Sequence, residues 1–242
     1  MEVEDAVEKI CPKVVGIDLA VKYSGVTAVE LYEFPLWKKE SHKVLFESQV
    51  EAGDSTAGRI SAAKSMTNMV KSAGADLVVI EDYTRQRMSF NSYTTGELSG
   101  MLRLSLFERG IRQLWCSPVW LKSFLTVGNQ AVLFKYPKSK QEIAEMVQEI
   151  FGFKSRLVHA KERSDATDAF VLAMIGGIYL LHEAEDPKTE KMVKETLALN
   201  KVFYGHGTVD GLLAPKHVLA GRITLDDNSQ VSISQAFMPP GR

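Results

Sequence analysis

The sequence predicts an α/β domain in which a mixed five-stranded sheet carries helices on its faces, followed by a C-terminal extension. Three observations carry the prediction. The early part of the chain is a succession of β-branched, apolar runs; strand and helix patterns then alternate; and the ordered pattern closes on a long apolar helix. Strands first, then alternation, then helices is the signature of a sheet covered on its faces.

Lys13 to Ala20 (KVVGIDLA) is the first strand, and Val26 to Tyr32 the second, with Lys22-Tyr23-Ser24-Gly25 as the turn of a hairpin. Lys43 to Glu51 gives a third strand after a looser stretch around Pro35 and Trp37, completing an antiparallel meander. Thr56 to Ser72 spaces Ile60, Ala63, Met66, Met69 and Val70 as a helix, with Gly74 as its stop. Asp76 to Glu81 is a short buried strand. Thr94 to Gly110 is helical, with Gly96 and Gly100 four apart so that a neighbouring element can approach closely. Ile111 to Cys116 is the fifth strand, Pro118 to Phe124 a short helix, and Gln141 to Phe151 a longer one. Ser164, read as an N-cap, opens the most apolar helix, which runs to His182. Beyond it the pattern weakens to one amphipathic segment, Thr189 to Leu199. The domain therefore spans 13–182, with an N-terminal extension over 1–12 and a C-terminal extension over 183–242. That extension is too apolar for a free arm and is expected to pack on the core or on a dimer partner.

Of the 242 residues, 45% are hydrophobic and 24% charged, an ordinary globular mix that excludes disorder as the main theme. The net charge of -1 gives no global sign of a nucleic-acid binder, but the distribution is polarised. Between Tyr83 and Arg163 thirteen Lys and Arg face only six Asp and Glu. Two cysteines, Cys11 and Cys116, beside apolar runs, make no disulfide framework and suit a reducing cytoplasm. The start has neither the basic nor the apolar region of a signal peptide, and no apolar run reaches the ~20 residues that a bilayer requires, so no membrane partner is expected.

Four acids stand out. Asp18 ends the first buried strand, Glu81 ends VVI, and Asp165 and Asp168 lie three apart on one face of the apolar helix. Each has a plain structural explanation: Asp18 as a turn cap, Glu81 as a solvated strand end, Asp165 as a complement to the helix dipole. Asp168 is harder to explain so, because Ala169-Phe170-Val171-Leu172-Ala173 follows it and burial without a partner is costly. Brought together, four carboxylates would be hard oxygen ligands for Mg²⁺ or Mn²⁺, and two such ions ~4 Å apart are a recurrent device for phosphodiester hydrolysis. Directly after Glu81, Tyr83 to Tyr93 (YTRQRMSFNSY) interleaves aromatics with Arg85 and Arg87. In a loop beside a catalytic site, Tyr83 and Phe90 can stack on bases and the arginines can hold phosphates; the plain alternative is Phe90 or Tyr93 buried against the following helix. His159 could assist a proton transfer, though a surface histidine is the simpler account.

GIDLAVKYSGVTAVE, VVIED and SDATDAFVLA, in that order, resemble the three acidic motifs of the RuvC family of Holliday-junction resolvases, within the RNase H-like nucleases. TGELSGMLRLSL resembles that family's glycine-spaced helix, and WLKSFLTVG and PKSKQEIAEMV its two lysine-bearing segments. The resemblance runs from about Val14 to Ile178; extra residues between Lys122 and Lys140 depart from it. It implies an RNase H-like fold, metal-binding catalytic acids at Asp18, Glu81, Asp165 and Asp168, DNA-contacting lysines at Lys122 and Lys140, and a homodimer. The implied activity is Mg²⁺-dependent cleavage of branched DNA, most specifically paired nicking of four-way junctions. Related alternatives are flaps, other branches or RNA–DNA hybrids as substrates. More distant ones are an actin-like or sugar-kinase ATPase, whose second glycine-rich phosphate hairpin is not found in the sequence, and a DNA-binding scaffold that does not cleave.

Overall fold

The computed structural model describes residues 11–32, 39–81, 90–116, 121, 124–125 and 139–183, with the side chains of 90–92 and 181–183 outside the description. Five strands form one sheet: β1 (Lys13–Asp18), β2 (Tyr23–Leu31), β3 (His42–Glu51), β4 (Leu77–Glu81) and β5 (Gln113–Cys116). Their spatial order is β3-β2-β1-β4-β5, antiparallel across β1–β2 and β2–β3 and parallel across β1–β4 and β4–β5. Four helices cover it among the described residues: α1 (Thr56–Ala73), α2 (Phe90–Phe107), α3 (Lys140–Phe151) and α4 (Ala160–Glu183). The predicted mixed sheet, its meander and its flanking helices are therefore all present. The 1–10 part of the N-terminal extension, the Thr189–Leu199 segment and the remaining extension from 184 lie outside the described residues.

Side chains alternate across a strand, so each face of the sheet acquires its own core. Val15, Ile17, Val26, Val78, Ile80 and Trp115 pack under α1 and α2. Val14, Val29, Leu77, Val79 and Leu114 pack under α3 and α4, where Phe170 stacks on Phe153 at 4.2 Å between ring centroids. The whole middle of α4 is buried because it crosses β1 and β2 on this second face. No helix among the described residues is long and apolar enough to cross a membrane.

Several boundaries differ from the sequence expectation, each for a physical reason. β2 begins at Tyr23, so Ser24 and Gly25 pair within the sheet and the reversal lies at Leu19–Lys22. Gly25 serves close packing rather than a turn: a Cβ there would meet the backbone of Asp165. α4 begins at Ala160, four residues before Ser164. Its polar first turns carry no apolar period, and the Glu162 carboxylate accepts from the His159 backbone N–H at 3.3 Å. His159 is thus a helix-start residue on the surface. α2 begins at Phe90, and Gly110 (φ 65°) follows its end in the left-handed region. On α1, Ile60 is exposed and Arg59 is buried instead, paired with Glu97 of α2 and bonded to the Asp54 carbonyl at 2.9 Å. Of the predicted 118–124 helix, Leu121 and Phe124 are helical and buried; most of the rest lies outside the described residues. Gly96 and Gly100 have no described atom near a built Cβ, so no element of this chain packs closely there among the described residues.

Candidate active site

Two adjacent parallel strands end on the two carboxylates of the site. Ile17 pairs with Ile80, so Asp18 and Glu81 follow side by side at the C-terminal ends of β1 and β4, the edge where ligands gather in open sheets. Strand alternation turns both toward α4: Val14, Gly16 and Asp18 share one face of β1, as Leu77, Val79 and Glu81 do on β4. The intervening Val15, Ile17, Val78 and Ile80 anchor the opposite core.

The other two acids are delivered by α4, and two glycines allow its approach. A Cβ on Gly16 would collide with the Ala169 carbonyl oxygen and lie 2.7 Å from the Ala173 nitrogen; one on Gly25 would collide with the Asp165 carbonyl. The hydroxyl of Thr27, between them on β2, donates to the Ala166 carbonyl oxygen at 2.9 Å. This backbone-to-backbone seat fixes both the height and the rotation of the helix. Asp165 and Asp168, three apart and hence on one face, then lie beside Asp18 in the second and third turns of α4, not at its terminus. Neither is explained as a complement to the helix dipole.

A basic side chain from a fourth segment enters the cluster. Lys140, the first residue of α3, donates from Nζ to Asp165 Oδ1 at 3.1 Å and lies 3.3 Å from Asp168 Oδ2. The α3 start is fixed by Ser139, whose hydroxyl accepts from the Glu142 backbone N–H at 3.2 Å. On the far side of Asp165, the Gln49 amide of β3 donates from Nε2 to Oδ2 at 3.0 Å. Gln49 carried no signal in the sequence reading. Its β3 register, opposite Gly25 and hence in one row with Asp18, is the pattern that would have exposed it.

Crowding these groups shifts their protonation. Burial holds the Asp18 carboxyl well above its ordinary value, reinforced by its hydrogen bond to Glu81 and that group's charge, while Lys140 pulls the other way. Asp168 is pushed up to about 7, first by burial and then by the charge of Asp18, against the lowering influence of Lys140. For Lys140, partial burial would lower the value, but Asp168, Asp18 and Asp165 together raise it, so it stays an ammonium.

The donor set fits a hard divalent cation: every donor is a carboxylate oxygen, Asp18, Asp165 and Asp168 are buried, and Lys140 pairs with two of the four acids, Asp165 and Asp168. Among the described residues no three acids close round one point as a finished set of ligands. The Lys140 ammonium holds Asp165 and Asp168, and Asp18 is bonded to Glu81. Of the predicted contacts to DNA, Lys140 is therefore at the site. Tyr83, Arg85, Arg87 and Lys122 lie outside the described residues, and Phe90 is described only by its backbone, at the first position of α2.

A mixed sheet in the order β3-β2-β1-β4-β5, crossed by a helix that carries two acids to the ends of β1 and β4, defines an RNase H-like fold of the RuvC type. The chain is similar to *Thermus thermophilus* RuvC solved with a Holliday junction substrate (20% identity, TM-score 0.52, covering 67% of this chain and 91% of that one). A second structure of *Thermus thermophilus* RuvC matches at 18% identity and TM-score 0.51, over 77% of this chain and 95% of that one. The yeast mitochondrial Holliday junction resolvase Ydc2 matches at 16% identity and TM-score 0.51, over 81% and 87%. No protein-family model matches the chain, and no curated protein matches it in sequence.

Proposed function

We propose that the chain is a divalent-metal-dependent endonuclease for branched DNA that resolves four-way junctions by paired nicks. One observation carries the reading: acids from three distant segments come together at one end of the sheet, Asp18 bonded to Glu81 and Asp165 and Asp168 joined through Lys140. Structural proteins have little use for such a concentration of buried acids, because each costs desolvation that one ammonium only partly offsets. One structural neighbour is described as a Holliday junction resolvase and another was solved with a Holliday junction substrate, which supports the same substrate class here.

Asp18, with Glu81 on one side and the helix acids on the other, would hold divalent metal together with Glu81, Asp165 and Asp168. Mg²⁺ is the expected ion, with Mn²⁺ as a substitute; bound in pairs, such ions activate water and stabilise the departing 3′ oxygen. Lys140, with 59% of its side chain exposed, can then turn from the acids to a substrate phosphate. Lys122, Arg85 and Arg87 are proposed to hold further phosphates, and Tyr83 and Phe90 to stack on opened bases.

A second copy of the chain fits the exposed face of α2. Tyr93, Leu104 and Phe107 are exposed there in line with the open Gly96 and Gly100, an apolar stripe at helical spacing with room for close approach. A twofold pair would present two identical sites, so opposing strands of a junction could be cut at matching positions. The test is cleavage of synthetic four-way junctions, flaps, linear duplexes and RNA–DNA hybrids with and without Mg²⁺. Symmetric nicks in junctions alone support the reading; preferential cutting of hybrids or flaps transfers the same chemistry to that substrate; ATP turnover without nicking refutes it.

A further inference from the structure

We propose that Gln49 is a positioning residue for Asp165: its amide holds Oδ2 and thereby makes Oδ1 the oxygen offered to a metal ion. The inference rests on the metal-dependent reading above and adds a residue that none of the acidic motifs contains.

The geometry behind it is a single row across the sheet. Asp18 pairs with Gly25, and Gly25 with Gln49, so the three residues present the same face from β1, β2 and β3. The middle position has no side chain, and the backbone of Asp165 occupies the space a Cβ would fill. Asp165 therefore descends between two flanking side chains, Asp18 on one side and Gln49 on the other. Gln49 Nε2 donates to Oδ2 at 3.0 Å, and Lys140 Nζ to Oδ1 at 3.1 Å.

These two donors differ in what happens when a cation arrives. An ammonium competes with a metal ion for the same negative charge, and Lys140 reaches the cluster on a long, largely exposed stem from which it can withdraw. A carboxamide carries no net charge, so it has no electrostatic reason to leave, and its hydrogen bond survives the exchange of one cation for another. The orientation of the amide follows from the same contact: turned round, its carbonyl would face a carboxylate oxygen with no proton between them. Asp165 is thus held at one oxygen by a permanent neutral partner and at the other by a displaceable charged one. Fixing one oxygen removes the side chain's rotational freedom before a metal binds. Partners of this kind typically contribute 10–100-fold in metal affinity.

The experiment uses the full chain, with Mn²⁺ as the probe and its binding followed by electron paramagnetic resonance, for wild type, Gln49→Met and Gln49→Ala. Methionine keeps the length of the side chain and removes the donor; alanine serves if methionine perturbs folding. The expected result is a Mn²⁺ Kd raised about 10–100-fold. The Mg²⁺ concentration for half-maximal cleavage should rise in parallel, while the rate at saturating Mg²⁺ stays within a few-fold and the metal-free melting temperature falls only modestly, because Oδ2 of a buried carboxylate loses one donor. A merely structural role would lower the melting temperature and leave Kd alone, and that result overturns the proposal. An unchanged Kd in both variants overturns it as well, leaving the nuclease reading intact. Failure of the wild-type chain to bind Mn²⁺ at millimolar concentration overturns both.

Discussion

Gly16→Ala places one methyl group between β1 and α4, at the point where the helix rests on the sheet. The added carbon would collide with the Ala169 carbonyl oxygen and lie 2.7 Å from the Ala173 nitrogen, both backbone atoms of a buried helix. Ordinary contact is ~3.5 Å or more, so α4 must retreat by on the order of 1 Å. Overpacking of this kind costs roughly 1–3 kcal/mol. The functional loss should exceed what that figure suggests, because Gly16 is two residues from Asp18 on the same face while α4 carries Asp165 and Asp168. A 1 Å separation of the two acid pairs can cost about 100-fold in rate. Gly74→Ala is the control: Gly74 has φ 62° at the end of α1, far from the acids, with open space around a built Cβ. Its left-handed backbone makes alanine cost roughly 1–2 kcal/mol without moving α4. Urea denaturation gives stability, and Mn²⁺ affinity with junction cleavage gives the state of the site. Gly16→Ala should lose both stability and site, Gly74→Ala stability alone. Wild-type Mn²⁺ affinity and cleavage in Gly16→Ala would refute the claim that the glycine seat sets the geometry of the acids.

Three other outcomes follow from the same geometry. Asp168 is pushed up to about 7 from 3.8, so its folded form holds a proton that the unfolded form releases; its contribution to metal-free stability is full below about pH 4 and is lost as pH rises to 7. At ~1.4 kcal/mol per unit the loss is at most about 4 kcal/mol, so Asp168→Asn should be more stable than wild type in metal-free urea titrations at pH 8, with the gap closing toward pH 5. Lys140→Ala removes the ammonium shared by Asp165 and Asp168; since that side chain is mostly exposed, the metal-free chain should lose only about 1 kcal/mol, while Mg²⁺ raises its melting temperature more than that of wild type. The same variant should bind DNA more weakly across sequences and with a shallower salt slope. Leu104→Asp, on the exposed stripe of α2 where Leu104 is 57% exposed, should lower the dimer fraction in sedimentation without lowering monomer stability by more than about 0.5 kcal/mol.

How legible this was in the sequence differs from residue to residue. The sheet and its acids were readable because buried strands are continuous apolar runs and a carboxylate ending one is anomalous: VVGID and VVIE combine both signals. The start of α4 was not readable from apolar spacing, because Lys161, Glu162 and Arg163 are solvated in the first turns. The role of Gly25 was misread as a turn because local sequence cannot show that another backbone lies on top of it. Ile60, expected inside, is exposed and Arg59 is buried, because Glu97, thirty-eight positions away, supplies the charge that makes burying an arginine tolerable. Gln49 shows the limit most clearly: a polar residue on a half-buried edge strand is unremarkable until the pairings through Gly25 align it with Asp18.

The central claim is that these four acids form a metal site that cuts DNA, and one parallel measurement tests it most directly. Wild type and Asp18→Asn are compared in Mg²⁺ on the same synthetic four-way junction, with binding read by gel shift and strand scission by denaturing gel. The account predicts paired nicks on opposing strands by wild type, none by Asp18→Asn, and comparable junction binding by both, because ligation needs the carboxylate whereas DNA affinity comes mainly from basic groups. Equal nicking by the two proteins, or no Mg²⁺-dependent nicking by wild type, would contradict it.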